Sequence, residues 1–235
     1  MAPSIVIATS DAFADTAARV IAADIDAAQA ARGECTLALC GGGTPAPVYR
    51  NLAARAIRWA DVAIYFGDER AVPPAHRDSN FGMARRALLD RVPIPAQRIH
   101  RMEAERHDID AAATAYEQQL PPRLDILLLG VGPDGHVASL FPDSPALGDA
   151  GRRVVAVAAP SLPLQPQVGR MTITASVIAA ARRIVVMVAG ADKAALLARV
   201  LEGPYQPMTL PAQLARDGTW VLDSPAAGQL QRRDT

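Results

Sequence analysis

Leu127-Leu128-Leu129-Gly130-Val131-Gly132-Pro133-Asp134-Gly135-His136-Val137-Ala138-Ser139-Leu140-Phe141-Pro142 decides how this chain is read. Residues 126–129 form an apolar run of the length of a buried strand, and the run stops abruptly in glycines, a proline, an aspartate and a histidine. The break puts titratable groups at the carboxyl end of a strand. In open α/β sheets ligands bind at that edge, where loops leave the strands and the following helices present their amino termini. A lone histidine is more often structural than catalytic. His136, however, follows a glycine-rich break and has Asp134 two residues before it, which suits a general base. His76, His100 and His107 lack that setting and read as surface residues.

Around this stretch, apolar runs alternate with helical segments. Strands are expected at residues 5–8, 36–39, 62–66, 126–129, 154–158, 184–188 and 220–222, with a short extended piece near Ile99. Helices are expected at 12–31, its start marked by Ser10 and Asp11, then after Pro45 through Tyr49 and Leu52, and at 82–89, 109–119 and 192–201. Residues 67–80 read as a polar loop and 160–166 as a proline-rich connection. Residues 171–181 are ambiguous, with Thr172 and Thr174 favouring strand and the alanines favouring helix. The end of the chain, from Ala226, reads as frayed. Strands alternating with helices predict an α/β fold, a mostly parallel sheet with helices on both faces, in a single domain over 1–235.

The other strand ends carry different tools. Gly41-Gly42-Gly43-Thr44 follows one strand; it is either a tight turn or a backbone cradle in which N–H groups and a helix amino terminus hold a phosphate. It has neither the Walker spacing with its lysine nor the dinucleotide-binding pattern of glycines. Gly67-Asp68-Glu69-Arg70 ends another strand. It is either a solvated turn with a local ion pair, or a site in which Arg70 grips a carboxylate or developing oxyanion while one of the two carboxylates, Asp68 or Glu69, orients an imidazole or a sugar hydroxyl. Two more cations are candidates for an anionic ligand. Arg170 follows the proline-rich connection, and Lys193 is the only lysine in the chain. Lys193 is expected in the first turn of a helix, where a cation opposes the helix dipole unless an anion is nearby.

Composition excludes several classes. The formal net charge is zero and charges of both signs are mixed along the chain, so no long-range field favours nucleic acid or an anionic membrane. No apolar stretch reaches the ~20 residues needed to span a bilayer and no signal sequence is evident, which predicts a cytoplasmic protein. Cys35 and Cys40 lie about 16 Å apart along one expected strand and point to opposite sides, so they are expected to be buried, unpaired thiols. No histidine pair with an acid has metal-ligand spacing, and no metal is expected.

Taken together, these segments resemble the 6-phosphogluconolactonase family, whose fold is shared with glucosamine-6-phosphate deaminases and ribose-5-phosphate isomerases. The matching pieces are Gly41-Gly42-Gly43-Thr44-Pro45; Phe66-Gly67-Asp68-Glu69-Arg70 with Asp78-Ser79-Asn80-Phe81; residues 129–142; Arg170-Met171-Thr172-Ile173-Thr174; Gly190-Ala191-Asp192-Lys193; and Pro211-Ala212-Gln213-Leu214. The family's glycine loop usually looks like Ser-Gly-Gly-Ser-Thr-Pro. Here Cys40 and Gly43 stand at the serine positions, which shifts phosphate binding onto backbone N–H groups, Thr44, Arg170 and Lys193.

The resemblance implies hydrolysis of 6-phosphoglucono-1,5-lactone, with His136 as base, Asp134 or Glu69 orienting it, and Arg70 at the oxyanion. It implies Gly41, Gly42, Gly43, Thr44, Asp68, Arg170 and Lys193 as substrate and phosphate ligands. It implies no cofactor, and glucose-6-phosphate dehydrogenase as a functional neighbour. The alternatives are an amino-sugar-phosphate deaminase of the same fold, disfavoured by Arg70 and by Ser139-Leu140-Phe141 where that family carries other residues, and a non-catalytic sugar-phosphate sensor, which would need an output module that is not evident.

Overall fold

The computed structural model describes residues 3–149, 151–160 and 166–231. Its frame is a six-stranded sheet. In chain order the strands are β1 (Ser4–Ala8), β2 (Cys35–Leu39), β3 (Val62–Phe66), β5 (Ile126–Leu129), β8 (Arg183–Val188) and β9 (Thr219–Asp223), and they lie side by side in the order β1-β9-β8-β5-β2-β3. Every pairing in it is parallel. β5 is wholly buried, as is most of β2, which is why they read as continuous apolar runs rather than alternating ones. Ile99 forms an isolated parallel bridge with Ile64 and extends the sheet beyond β3.

The helices α1 (Phe13–Arg32), α2 (Pro45–Ala53), α3 (Asn80–Ala87), α4 (Ile109–Gln119), α5 (Ala175–Ala180) and α6 (Ala194–Glu202) fill the connections. α1 ends at Gly33, whose φ of +81° lets its N–H return to Gln29 O at 2.8 Å. Its start differs from the sequence expectation: the Ser10 side chain bonds Asp223 at 3.2 Å and does not cap the helix.

A second sheet was not expected. β4 (Asp68–Arg70), β7 (Arg170–Ile173) and β6 (Val154–Val157) form an antiparallel unit in the order β4-β7-β6. β4 lies inside the segment that reads as a polar loop, because three consecutive charged residues give no strand signal until β7 pairs with them. Gly67 joins the sheets, donating to Leu39 O and accepting from Ile173 N, both at 2.9 Å. The ambiguous stretch is strand then helix, divided at Thr174.

The end of the chain also departs from expectation. Ala226, Ala227 and Leu230 are buried, and Ala226 N bonds Asp223 Oδ1 at 2.8 Å, so the chain is packed rather than frayed at these positions. Of the proline-rich connection, 161–165 lie outside the described residues, as do 232–235.

Candidate active site

The chain runs outward from β2 to the edge strand β3, then resumes on the other side of β2 with β5 and β8. That reversal opens a crevice at the carboxyl ends of β2 and β5, as doubly wound sheets do at such switch points. A cavity of about 290 Å³ lies there, lined by the loops leaving β2, β5 and β8 together with residues of β4 and β7. Gly41, Gly42, Gly43, Thr44, Asp68, Arg70, His136, Arg170 and Lys193 all line it. Residues spread over 150 positions of sequence therefore converge.

Two buried tyrosines fix the loops as they leave the sheet. Where a strand ladder stops, its last N–H and C=O groups need new partners. The Tyr49 hydroxyl, on α2, accepts from Cys40 N at 2.9 Å and donates to Cys40 O at 2.8 Å. The Tyr116 hydroxyl, on α4, does the same for Phe66 N and O at 2.8 and 3.2 Å. Burial pushes both phenols up, so they stay neutral donors. The Cys35 and Cys40 thiols are free, buried and pushed up to about 12 by burial. These are the properties of inert thiols.

His136 and Asp134 form a close pair, Nδ1 to Oδ1 at 2.5 Å, and Asp134 Oδ1 also accepts from His136 N at 3.2 Å. Burial pushes the Asp134 carboxyl up, but the hydrogen bond and charge of His136 more than offset it, and the net shift is downward. A carboxylate only accepts, so the pair assigns the proton to Nδ1 and leaves the Nε2 lone pair available in the neutral ring. Gly132 makes room for the imidazole: a Cβ there would come within 2.1 Å of it. The Phe141 ring packs against the imidazole, with centroids 4.8 Å apart.

β4 sorts its three charges by strand alternation. Asp68 and Arg70 face the cavity. Glu69 points the opposite way, and its carboxylate accepts four hydrogen bonds, from Arg70 N, Asn80 N, Ser79 Oγ and Phe81 N, at 2.7–2.9 Å. Burial raises its pKa and those donors offset the rise only in part. Glu69 is thus bound up in holding the amino terminus of α3, whose cap is Ser79. The expectation that Glu69 could orient the imidazole is corrected: Asp134 does.

Arg70 and Arg170 stand directly opposite each other in the β4–β7 register. Like charges in that relation repel unless something compensates. Arg70 donates to Asp78 O at 2.7 Å and Arg170 to Pro166 O at 3.3 Å, while the Nε of each is buried without a partner. Burial pulls the Arg170 pKa down, with Asp68 opposing and Arg70 adding to the shift. Two guanidiniums crowded on one cavity wall have the charge and geometry that suit an anion. Lys193, half-buried, sits at the start of α6, and Thr44 immediately precedes α2. Sequence reasoning assigned no role to Asn80 or Ser139. Both are buried and both donate to Asp68, at 2.9 and 2.6 Å. The available signal was a single serine inside the apolar run 137–141.

This arrangement defines an α/β protein with an acid-oriented histidine and an anion receptor at the carboxyl ends of parallel strands. A family model described as glucosamine-6-phosphate isomerases/6-phosphogluconolactonase matches residues 8–222, and the chain belongs to this family. It is 40% identical to the 6-phosphogluconolactonase of Mycobacterium tuberculosis over 94% of this chain and 95% of that protein. It is 38% identical to that of Synechocystis over 98% and 100%. Among solved structures, the 6-phosphogluconolactonase of Trypanosoma brucei superposes with a TM-score of 0.87 at 27% identity, covering 97% and 98%. A monomeric glucosamine-6-phosphate deaminase superposes with a TM-score of 0.83 at 22% identity, over 97% and 100%, a likeness of fold alone.

Proposed function

We propose that this protein hydrolyses 6-phosphoglucono-1,5-lactone to 6-phosphogluconate, the second step of the oxidative pentose phosphate pathway. The observation that carries the reading is the Asp134–His136 pair opening onto the same cavity as Arg70 and Arg170. His136 Nε2 takes a proton from water as its oxygen adds to the lactone carbonyl. The oxyanion that develops faces Arg70. Collapse of the tetrahedral intermediate breaks the bond from the carbonyl carbon to the ring oxygen, which takes the proton back from Nε2. Asp134 holds the ring in the right tautomer and stabilises the transient imidazolium.

The 6-phosphate is bound by the N–H groups of the Gly41-Gly42-Gly43 loop, Thr44 and Lys193. Arg170, across from Arg70, supplies a second guanidinium to the ligand's anionic groups. Asp68 accepts from a sugar hydroxyl. The family match over residues 8–222 supports this assignment, as does the agreement of the histidine segment 129–142 with the lactonase pattern; the glycine loop departs from that pattern at Cys40 and Gly43.

A cytoplasmic location belongs to the same proposal, since Cys35 and Cys40 are free thiols suited to a reducing compartment. No helix among the described residues is long and apolar enough to cross a membrane. The lactone forms on oxidation of glucose 6-phosphate, which makes glucose-6-phosphate dehydrogenase the functional neighbour. The deciding assay generates the lactone enzymatically and follows its disappearance after subtracting the spontaneous rate. A corrected rate at background would overturn the proposal, and ammonia release from glucosamine 6-phosphate would favour the deaminase instead.

A further inference from the structure

We infer that Ser139 is a positioning residue for this reaction, setting the distance between the His136 turn and the arginine pair; the inference rests on the reading of His136 as the base. Val137 and Leu140 bridge antiparallel across a tight turn, closed by Leu140 N to Val137 O at 2.9 Å. Its first central residue, Ala138, has a φ of +49°, a left-handed conformation that an L side chain adopts only when its surroundings hold it there.

The second central residue, Ser139, is what the small sheet holds. Its N–H donates to Thr172 Oγ1 at 3.1 Å and its Oγ donates to Asp68 Oδ2 at 2.6 Å. Ser139 and Thr172 have no exposed surface and Asp68 is 5% exposed, so both bonds are made out of water, where they fix geometry most strongly.

The two acceptors are not independent. Asp68 and Thr172 are cross-strand partners on β4 and β7, so one serine is clamped by one register position of the antiparallel ladder. Two residues further along the same strands, and hence on the same face, lies the Arg70–Arg170 pair. The turn that carries the base is thereby pinned to the face that carries the guanidiniums. Asn80 completes the clamp by donating to the other oxygen of Asp68 at 2.9 Å, which fixes the carboxylate that Ser139 grips. The Asp134–His136 pair lies just before this turn and makes neither of these bonds. Loss of Ser139 should therefore leave the imidazole's own environment intact and alter where it stands relative to the arginines, while Asp68 keeps its bond from Asn80.

The test is Ser139→Ala, which removes the bond to Asp68 and keeps the N–H to Thr172, with Thr172→Val as a second, nearly isosteric variant that removes the other acceptor. A displacement of about an ångström between reacting groups costs on the order of 10²-fold in rate. The expected result is a 10- to 100-fold lower kcat for Ser139→Ala and a smaller fall for Thr172→Val. KM and the calorimetric affinity for 6-phosphogluconate should stay within about threefold, product binding should remain one per chain, and the pH dependence of kcat should be unshifted. A kcat within threefold of wild type in both variants overturns the inference. So does a fall in product-binding stoichiometry or a matching loss of kcat and affinity, either of which makes Ser139 a general support of the fold. His136→Ala measured alongside separates the two readings: full activity there removes the base assignment itself, whereas an inactive His136→Ala beside a fully active Ser139→Ala removes only the positioning role.

Discussion

The two sheets divide the work of this protein between apolar and charged residues. The six-stranded sheet is built from runs such as Ile-Leu-Leu-Leu in β5, buried on both faces, and gives the site its loops and glycines. The three-stranded sheet opens with Asp-Glu-Arg and gives the site its fixed charges. Burying such a strand is costly unless each charge is compensated. Glu69 has four donors and Asp68 has Ser139 and Asn80, but the Nε–H groups of Arg70 and Arg170 have no acceptor. Both arginines line the cavity. In the proposed function the large sheet supplies the stable frame and the small one the guanidiniums that meet an anion.

The sharpest way to break this division is to remove His136, the proposed base, which a loop of the large sheet presents. His136→Ala should lower kcat by on the order of 10²–10⁴ while leaving KM nearly unchanged, because proton transfer matters in the transition state. The measurement is turnover corrected for spontaneous lactone hydrolysis. On the small sheet, Arg70→Lys keeps the charge and loses the planar fork. Turnover should fall by about 10²-fold in a protein that still melts cooperatively, as expected for loss of a donor aimed at developing charge. Wild-type turnover in this variant would return Arg70 to a structural role at Asp78.

Lys193→Ala addresses the proposed phosphate end. Contacts made equally in ground and transition states raise KM and spare kcat, and losing a charge-assisted contact costs about 1.5–3 kcal/mol. An unphosphorylated gluconolactone should be indifferent to the change. Equal losses for both lactones would point to damage at the carbonyl end.

Glu69→Gln should show the opposite profile, with kcat within a few-fold of wild type and stability lower by about 1–3 kcal/mol, because an amide nitrogen would meet backbone donors. Its pH dependence carries a definite sign. Burial raises the folded-state pKa of Glu69, so the stability it contributes is fully present below its unfolded value of about 4.3 and is lost as pH rises through the folded value. In urea unfolding between pH 4 and 7, the gap between wild type and Glu69→Gln should be widest at the acid end. Asp134, whose net shift is downward, behaves inversely: its contribution is present above about 3.9 and is lost as pH falls through the folded value. A gap for Glu69→Gln that grew with pH would contradict the burial argument.

The amino-acid sequence by itself determined the parallel frame, because a strand buried on both faces is written as an uninterrupted apolar run and its end as glycine, proline and charge. It also brought His136, Asp134, Arg70, Arg170, Lys193 and the Gly41 loop forward as candidates, since unusual residues at strand ends are a local signal. Only the tertiary structure decided which acid serves the histidine. Asp134 and Glu69 are both near a candidate cation in sequence, but strand pairing of Asp68–Arg70 with β7 turns Glu69 to the back of the small sheet and into the amino terminus of α3. The strand β4 itself, the clamp on Ser139 and the packing of Ala226 to Leu230 were illegible for the same reason. Each depends on a partner far away in the chain, and the hydrogen bonds or burial that such a partner supplies leave no periodicity in the segment that receives them.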